Sequence, residues 1–215
     1  MEAWQPIVPS HEVTKGDCIV QGFADGLEFA LWRSASGAVQ AWQNRCAHRS
    51  VRLTLGRIID DRLVCGYHGW RYAPGDGQCT YRPAHPGAPV PKGLGIRTYP
   101  VAEAAGMVWV APAGEAPRAS PAADAGYALF CRAFVARCDV HQAASVLARQ
   151  GKIDGRTWTG KIGDDDIAVH LLSAKPDRTT LYVWCRELAG IDPTAQRQRV
   201  SATFKSLRAR IEQPA

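Results

Sequence analysis

The sequence predicts a mainly β protein of two domains, a β domain followed by a shorter α+β domain. Three observations predict it: many short apolar runs bounded by glycine-bearing turns, a proline- and alanine-rich segment past the middle of the chain, and an amphipathic helix pattern at the C-terminus. With 215 residues, of which 46% are hydrophobic, the chain can bury one large core or two modest ones.

The first predicted domain spans residues 1–112. Strand-like runs separated by turns occupy Asp17–Gly22, Leu27–Arg33 and Val39–Trp42. Leu53–Val64 then has the pattern of a hairpin, with two β-rich runs around an Asp60-Asp61 turn. Further strands are expected as far as Trp109.

A stretch rich in alanine and proline, residues 113–126, has no apolar periodicity and is interpreted as a linker. The second domain, residues 127–215, has strand-like runs at Leu129–Arg137, Thr157–Ile162, Ile167–Leu172 and Thr179–Arg186. It closes with a helix that begins after Asp192 as N-cap, with Pro193 at the first helical position. The apolar face of that helix consists of Val200, Phe204, Leu207 and Ile211.

The net charge of +6 is spread along the chain. The basic residues near the C-terminus are spaced as the solvated face of a helix, a pattern that does not favour nucleic-acid binding: Arg197, Arg199, Lys205, Arg208 and Arg210. A basic surface that docks an acidic redox partner fits the charge better. No apolar run approaches the roughly 20 residues of a membrane span, and the N-terminus lacks signal-peptide features. We therefore expect a cytoplasmic protein.

The chain has seven cysteines. Without an export signal they are expected to be reduced or metal-bound. Five of them have no close ligand partner in the sequence and are interpreted as small buried hydrophobes: Cys18, Cys79, Cys131, Cys138 and Cys185.

The other two cysteines belong to a motif with two histidines. Cys46-Ala-His48 is followed, after sixteen residues, by Cys65-Gly-Tyr-His68. Such a donor set suits a structural zinc ion or a Rieske [2Fe-2S] cluster, in which two thiolates hold one iron and two imidazoles hold the other. Zinc fingers draw like ligands from one loop, whereas each loop here supplies one Cys and one His. The mixed pairing favours the cluster.

The residues around these four also favour a cluster. Gly66 and Gly69 allow the backbone to come close to the sulfurs and donate N–H hydrogen bonds to them. The predicted Leu53–Val64 hairpin would bring the two loops together.

Five segments of the first half of the chain resemble one family: Cys46–Arg49, Leu53–Arg57, Leu63–Trp70, Tyr99–Val101 and Gly106–Val110. The chain is similar to the Rieske nonheme-iron oxygenases, especially the vanillate O-demethylase-like oxygenase subunits. The family usually has proline where this chain has Ala47, which leaves the ligands in place. The resemblance supports Cys46, His48, Cys65 and His68 as cluster ligands. Around them lie Arg49, Gly66, Tyr67, Gly69 and Trp70.

High-potential respiratory Rieske proteins carry a bracing disulfide between the two loops and a serine that hydrogen-bonds a bridging sulfide. Tyr67 and Trp70 stand in the second loop here, and neither device is present. Fewer hydrogen bonds to sulfur predict a potential toward the lower end of the Rieske range of about −150 to +300 mV.

The second domain resembles, more weakly, the helix-grip catalytic domain of these oxygenases, in a reduced form. In the family, a motif D-x-x-H-x-x-x-x-H and a distant Asp hold a mononuclear iron. Asp139-Val140-His141 looks like a shortened start of that motif, but Val146 and Leu207 stand where ligands are expected. The remaining candidates, His141, His170 and Asp164–Asp166, do not form a recognisable triad, so no mononuclear iron is expected.

The leading hypothesis is an electron-transfer component. It would accept electrons from a reductase or ferredoxin and pass them to a separate catalytic oxygenase subunit in a trimer-based hetero-oligomer, as the resemblance implies. The alternative is a compact oxygenase with a non-standard iron site around His141 and His170. A zinc-bound structural module is the third possibility.

Overall fold

A computed structural model describes residues 4–115, 121 and 126–213. Most of the predicted linker, residues 116–120 and 122–125, lies outside the described residues. Within the described part, fifteen strands form four antiparallel sheets, accompanied by two α-helices and two short 3-10 helices. The predicted mainly β fold is confirmed. In these residues, no helix has the length and apolar character that a bilayer crossing requires.

The N-terminal part contains three small sheets, with strand orders β1-β10-β9, β2-β3-β4 and β5-β6-β7-β8. Their strands are β1 Gln5–Pro9, β2 Ile19–Ala24, β3 Leu27–Arg33, β4 Val39–Gln43, β5 Arg57–Ile59, β6 Arg62–Val64, β7 Arg71–Tyr72, β8 Cys79–Tyr81, β9 Val101–Ala104 and β10 Met107–Val110. The 3-10 helices are Ser10–Glu12 and Leu53–Leu55.

The predicted Leu53–Val64 hairpin is confirmed for residues 57–64 and wrong for Leu53–Leu55. β5 and β6 pair around Asp60 and Asp61, both with positive φ, as a tight two-residue turn requires. Leu53–Leu55 is a 3-10 helix instead of a strand. The Thr54 backbone N–H donates to the Asn44 side chain at 2.9 Å and is therefore not available to a strand ladder.

The C-terminal part is one five-stranded sheet with the order β11-β15-β14-β13-β12. Its elements are β11 Leu129–Ala136, α1 Val140–Ala148, β12 Gly151–Asp154, β13 Thr157–Ile162, β14 Asp165–Lys175, β15 Arg178–Cys185 and α2 Pro193–Ile211. α2 begins as predicted, because the Asp192 carboxylate accepts from the Ala195 N–H at 2.8 Å. α1 was not predicted. Asp139, which in sequence looks like the start of a shortened iron motif, caps this helix and accepts from the backbone N–H groups of His141 and Gln142.

Both faces of this sheet are covered. On one face, Ile167, Val169 and Leu171 of β14 pack in a core with α1 and α2. On the other, Ala168 and Leu172 of the same strand pack in a core with residues of the N-terminal sheets. The two halves of the chain therefore share an apolar core.

A tight contact in this shared core involves the turn between β9 and β10. Gly106 has φ +75°, and a Cβ built on it would lie 2.4 Å from the Trp184 ring of β15. Only a residue without a side chain allows the ring to pack there.

We predict that Gly106→Ala lowers the free energy of unfolding by about 2–4 kcal/mol, because it adds a clash with Trp184 to an unfavourable φ. Gly155→Ala is the matched control: Gly155 is also a hairpin-turn glycine with positive φ, but a Cβ there meets nothing within 4 Å. The free energy of unfolding of Gly155→Ala should fall by only about 1 kcal/mol. Urea unfolding of both variants tests this, and equal losses would argue against the Trp184 contact.

Candidate functional site

The two loops that carry the predicted ligands have the same backbone hydrogen bonds. In the first, Cys46 N donates to Val51 O at 2.8 Å and Cys46 O accepts from Ser50 N at 2.8 Å. In the second, Cys65 N donates to Trp70 O at 2.9 Å and Cys65 O accepts from Gly69 N at 3.1 Å. In each loop the cysteine therefore bonds to the fourth and fifth residues after it.

The fourth residue after each cysteine has positive φ, 55° at Ser50 and 68° at Gly69. Each loop thus turns back on its own cysteine. The Gly69 conformation explains the glycine that the sequence singled out.

The loops are joined by a close backbone approach. A Cβ on Gly66 would lie 2.3 Å from the Leu55 carbonyl oxygen, and one on Gly56 would lie 2.3 Å from that of Val64. Gly66 was expected to make room for sulfur. In the structure the group that fills this space is the carbonyl of Leu55, the last residue of the 3-10 helix that follows the first loop.

The two thiols lie inside the protein. Cys46 and Cys65 are only 5% and 3% exposed. Burial raises the pKa of Cys65, an effect that the N–H groups of Tyr67 and His68 oppose by bonding to its sulfur. These N–H groups favour the thiolate form, which is the form that binds metal.

Tyr72 of β7 also reaches the sulfurs, a contact that the sequence reasoning missed. Its hydroxyl lies 3.1 Å from Cys46 Sγ. Burial, and then the contact with Cys46, raises the pKa of Tyr72 far above its usual range, so that the hydroxyl keeps its proton and can donate to a thiolate. The available signal was its position in the strand that leaves the second loop.

The two imidazoles lie outside, at the surface. The rings of His48 and His68 are 4.8 Å apart between centroids. His48 stacks on Trp70 at 4.6 Å, and His68 lies against Tyr67 at 3.8 Å. Desolvation lowers the pKa of His48, with smaller contributions from His68 and Arg49. A lowered pKa favours the neutral ring, which is the form that binds metal.

This arrangement fits a cluster with two unlike ends. Two sulfurs are available from the interior and two imidazoles from the surface, and N–H donors already bond to one of the sulfurs. Among residues 4–115, 121 and 126–213, no three His, Cys, Asp or Glu side chains converge on one metal position. A Rieske cluster asks for two protein donors on each iron.

A comparison with family models decides the assignment of this region: residues 3–100 match the Rieske [2Fe-2S] domain. These residues form a Rieske domain. The predicted resemblance to Rieske oxygenases is also confirmed by relatives of known sequence and structure.

Two curated relatives match about half of this chain. Oxidoreductase NdmD of Pseudomonas putida is 44% identical over 115 residues, which are 52% of this chain and 19% of that protein. The 3-chlorobenzoate-3,4-dioxygenase oxygenase subunit of Comamonas testosteroni is 36% identical over 110 residues, 51% of this chain and 25% of that protein. The chain therefore spans only about a fifth to a quarter of these relatives.

The whole chain also matches a solved Rieske oxygenase in fold. Apo dicamba monooxygenase superposes with a TM-score of 0.75 and 17% sequence identity, covering 98% of this chain and 85% of that one. The likeness includes the C-terminal sheet as well as the Rieske domain. At this identity it concerns the fold alone.

The structure separates the two histidines considered as iron ligands in the second domain. His141 lies exposed on α1, on the helix-covered face of the sheet. His170 of β14 is 1% exposed and meets the Trp109 ring on the opposite face. Its ring bonds to Thr157 Oγ1 at 2.9 Å and to the Ala105 backbone.

Of the three aspartates considered with them, Asp164 lies in the turn before β14, and Asp165 and Asp166 are the first residues of that strand. Asp165 is buried. Asp165, the first residue of β14, accepts from Arg199 at 2.7 and 3.0 Å and from Gln196 at 3.1 Å. The bonds from Arg199 hold the pKa of Asp165 below its usual value. Asp165 therefore ties α2 to the sheet.

The interpretation of five cysteines as buried hydrophobes holds for three of them and is wrong for two. Cys79, Cys138 and Cys185 are buried, whereas Cys18 and Cys131 are partly exposed. Cys131 and Cys185 lie on neighbouring strands with their sulfurs 3.4 Å apart. The sequence did not reveal this contact, because the two residues are far apart along the chain.

We predict that His170 makes the protein sensitive to mild acid. Desolvation lowers the pKa of His170 from 6.5 to about 4, so between these values the unfolded chain binds a proton that the folded chain does not. The stability that neutral His170 contributes is therefore fully present above the unfolded pKa of 6.5, and it is lost as the pH falls from 6.5 toward 4. From pH 7 to pH 5 the loss from this residue is about 2 kcal/mol.

Urea unfolding at pH 7 and pH 5 measures this loss. His170→Gln should remove about 2 kcal/mol of the pH dependence, whereas His141→Gln, at the exposed histidine, should leave it unchanged. A His170→Gln protein with undiminished pH dependence would place the effect elsewhere.

Proposed function

We propose that this chain is the Rieske-type electron-transfer component of an oxygenase system. Cys46 and Cys65 would hold one iron of a [2Fe-2S] cluster, and His48 and His68 the other. The observation that carries the proposal is the pairing of two buried thiols with two adjacent surface imidazoles on loops of matching backbone geometry.

A bound [2Fe-2S] cluster supplies the ability to take up and release one electron at a time. The protein residues set how readily this happens. The Tyr72 hydroxyl and the N–H groups of Tyr67 and His68 bond to the sulfurs, which favours the more negative, reduced form. His48 and His68 place the histidine end of the site at the surface, where an electron can enter or leave.

The charge of the surface around the imidazoles favours the binding of an acidic redox partner. Arg45 and Arg49 are exposed beside His48, and Tyr67 is 59% exposed beside His68. Positive charge around an apolar contact speeds encounter with a negatively charged protein. We propose a reductase or ferredoxin as donor and a catalytic oxygenase subunit as acceptor, in a trimer-based hetero-oligomer.

We further propose that the second domain works without a mononuclear iron. This rests on the placement of the candidate ligands, because His141 and His170 lie on opposite faces of the sheet. Leu207, at the position expected for a family carboxylate, is buried in the helix-covered core. The domain would then serve to hold the Rieske domain in an assembly, through a core that both halves share.

We predict two irons and two inorganic sulfides per purified chain, and hydroxylation only when a reductase and a separate iron-bearing oxygenase subunit are added. Cys65→Ser should lose the cluster absorbance and the low-average-g EPR signal of the reduced centre. Cys79→Ser, at a buried cysteine outside the ligand set, should keep both.

Two results would contradict this. A third iron per chain with substrate turnover by chain and reductase alone would establish a compact oxygenase. A colourless, sulfide-free protein with one zinc would establish a structural module.

We also predict that Tyr72→Phe lowers the reduction potential by roughly 30–100 mV. A hydrogen bond to a charged group is worth about 1.5–3 kcal/mol, and part of this energy is present only in the reduced state. For a one-electron couple, a tenfold change in the equilibrium constant of reduction corresponds to about 59 mV. Tyr99→Phe, at a buried tyrosine that packs on Phe29, is the control and should not shift it. Spectroelectrochemical titration measures both, and equal potentials would exclude a Tyr72 bond to the ligand sulfur.

A further inference from the structure

A second pair of sulfurs lies in the C-terminal sheet, away from the Rieske loops. Cys131 of β11 and Cys185 of β15 belong to paired strands, with Sγ atoms 3.4 Å apart. The pairing register shifts between Phe130 and Arg132, so Cys131 is the extra residue of a β-bulge. Bulges change the direction of a side chain, and this one coincides with the contact between the two thiols.

Of the two thiols, Cys131 is the one that solvent and small molecules can reach. Cys131 is partly exposed, whereas Cys185 is fully buried in the core beneath α2. Cys131 forms part of the wall of an open cleft of about 300 Å³ between β11 and α2. A small molecule in the cleft can therefore touch one sulfur, with the other directly behind it.

The cleft carries positive charge. Among the described residues that line it, Arg132, Arg197 and Lys205 are cationic, and the others are neutral. The nearby carboxylate of Asp165 is already neutralised by Arg199. A small anion is thus favoured next to Cys131.

The two thiols are not equivalent. The Cys131 thiol donates to the Cys185 sulfur, which lowers the pKa of Cys185 and raises that of Cys131. Arg199 and Arg197 favour the negative charge on Cys185 further. The negative charge of a singly protonated pair is therefore favoured on Cys185, and the S–H···S contact gives the Cys131 proton a direct path to Cys185 when Cys131 bonds to another sulfur.

We propose that Cys131 and Cys185 form a reversible dithiol–disulfide couple, oxidised through the basic cleft by a small anionic disulfide of the glutathione type. This pair is separate from the Rieske ligands, and the proposal does not depend on the function proposed for them.

The exchange takes place in two balanced steps. The pair begins with one proton, held by Cys131 and donated to the Cys185 thiolate. Cys131 sulfur bonds to one sulfur of the disulfide, whose S–S bond breaks; one thiolate leaves, and the Cys131 proton passes to the Cys185 thiolate. Cys185 sulfur then bonds to Cys131 sulfur, the mixed disulfide breaks, and the second thiolate leaves with the Cys185 proton. Two cysteines lose two electrons and the external disulfide gains them.

The geometry needs little change. A disulfide has an S–S distance of about 2.05 Å, so the sulfurs must approach by about 1.4 Å. Rotation of side chains on paired strands can supply most of this movement. Once formed, the bond would link the first strand of the sheet to its neighbour near the place where α2 begins.

The test treats the cluster-loaded full chain with oxidised glutathione and follows the cysteine peptides by mass spectrometry. We expect a cross-link between the peptides of Cys131 and Cys185, with loss of two hydrogen masses, that dithiothreitol reverses. Cys185→Ser should stop at a stable glutathione adduct on Cys131. Cys131→Ser should leave Cys185 unmodified.

The role of the cleft is tested with a neutral reagent, 2-hydroxyethyl disulfide. Arg132→Gln combined with Lys205→Gln should slow oxidation by glutathione disulfide about fivefold or more and leave the rate with the neutral disulfide unchanged, since neither residue acts on the pKa of the two thiols. Arg210→Gln changes a charge on the exposed surface of α2 and should alter neither rate. Free thiols at both positions after treatment would overturn the couple, and equal slowing with both reagents would overturn the charge-selective cleft.

Discussion

A close backbone approach at the open end of the β5–β6 hairpin joins the segment that follows the first ligand loop to the start of the second. Leu55 and Gly66 come so close that no side chain fits at residue 66, and the same holds for Gly56 against Val64. These two segments therefore meet along their backbones. In the loops on either side of this contact, both cysteines are buried and both histidines are exposed. The site thus has an inner sulfur end and an outer imidazole end.

The C-terminal sheet imposes a second constraint, because both of its faces are buried. One face packs on α1 and α2 and the other on the Rieske domain. Successive side chains of β14 point to opposite faces of the sheet and therefore pack in different cores. His170 becomes a partner of Trp109 and Ile167 a partner of the helices. The sheet therefore separates two apolar cores, one of which contains residues of both halves of the chain.

The two sulfur pairs of the chain have different surroundings. Cys46 and Cys65 bond to a tyrosine hydroxyl and to backbone N–H groups, donors that suit a permanent thiolate bound to metal. Cys131 and Cys185 contact each other beside arginine side chains and an open cleft, which suits exchange with a small molecule. The one-electron and the two-electron sulfur chemistry proposed for this chain would therefore take place in separate cores.

The sequence by itself determined the ligand motif, most of the strands and the terminal helix. These depend on local signals: Cys and His at fixed spacing, apolar runs between glycine turns, and an Asp192-Pro193 helix start. It did not determine that Leu53–Leu55 bends into a 3-10 helix, because the Asn44 side chain, ten residues away, takes the Thr54 N–H. The Asp139 cap of α1 is a local signal that the resemblance to an iron motif concealed. Only the tertiary structure brought Tyr72 to Cys46, Gly106 to Trp184 and Cys131 to Cys185. These contacts join residues 26, 78 and 54 positions apart, and they depend on strand register and sheet packing, which no local pattern encodes.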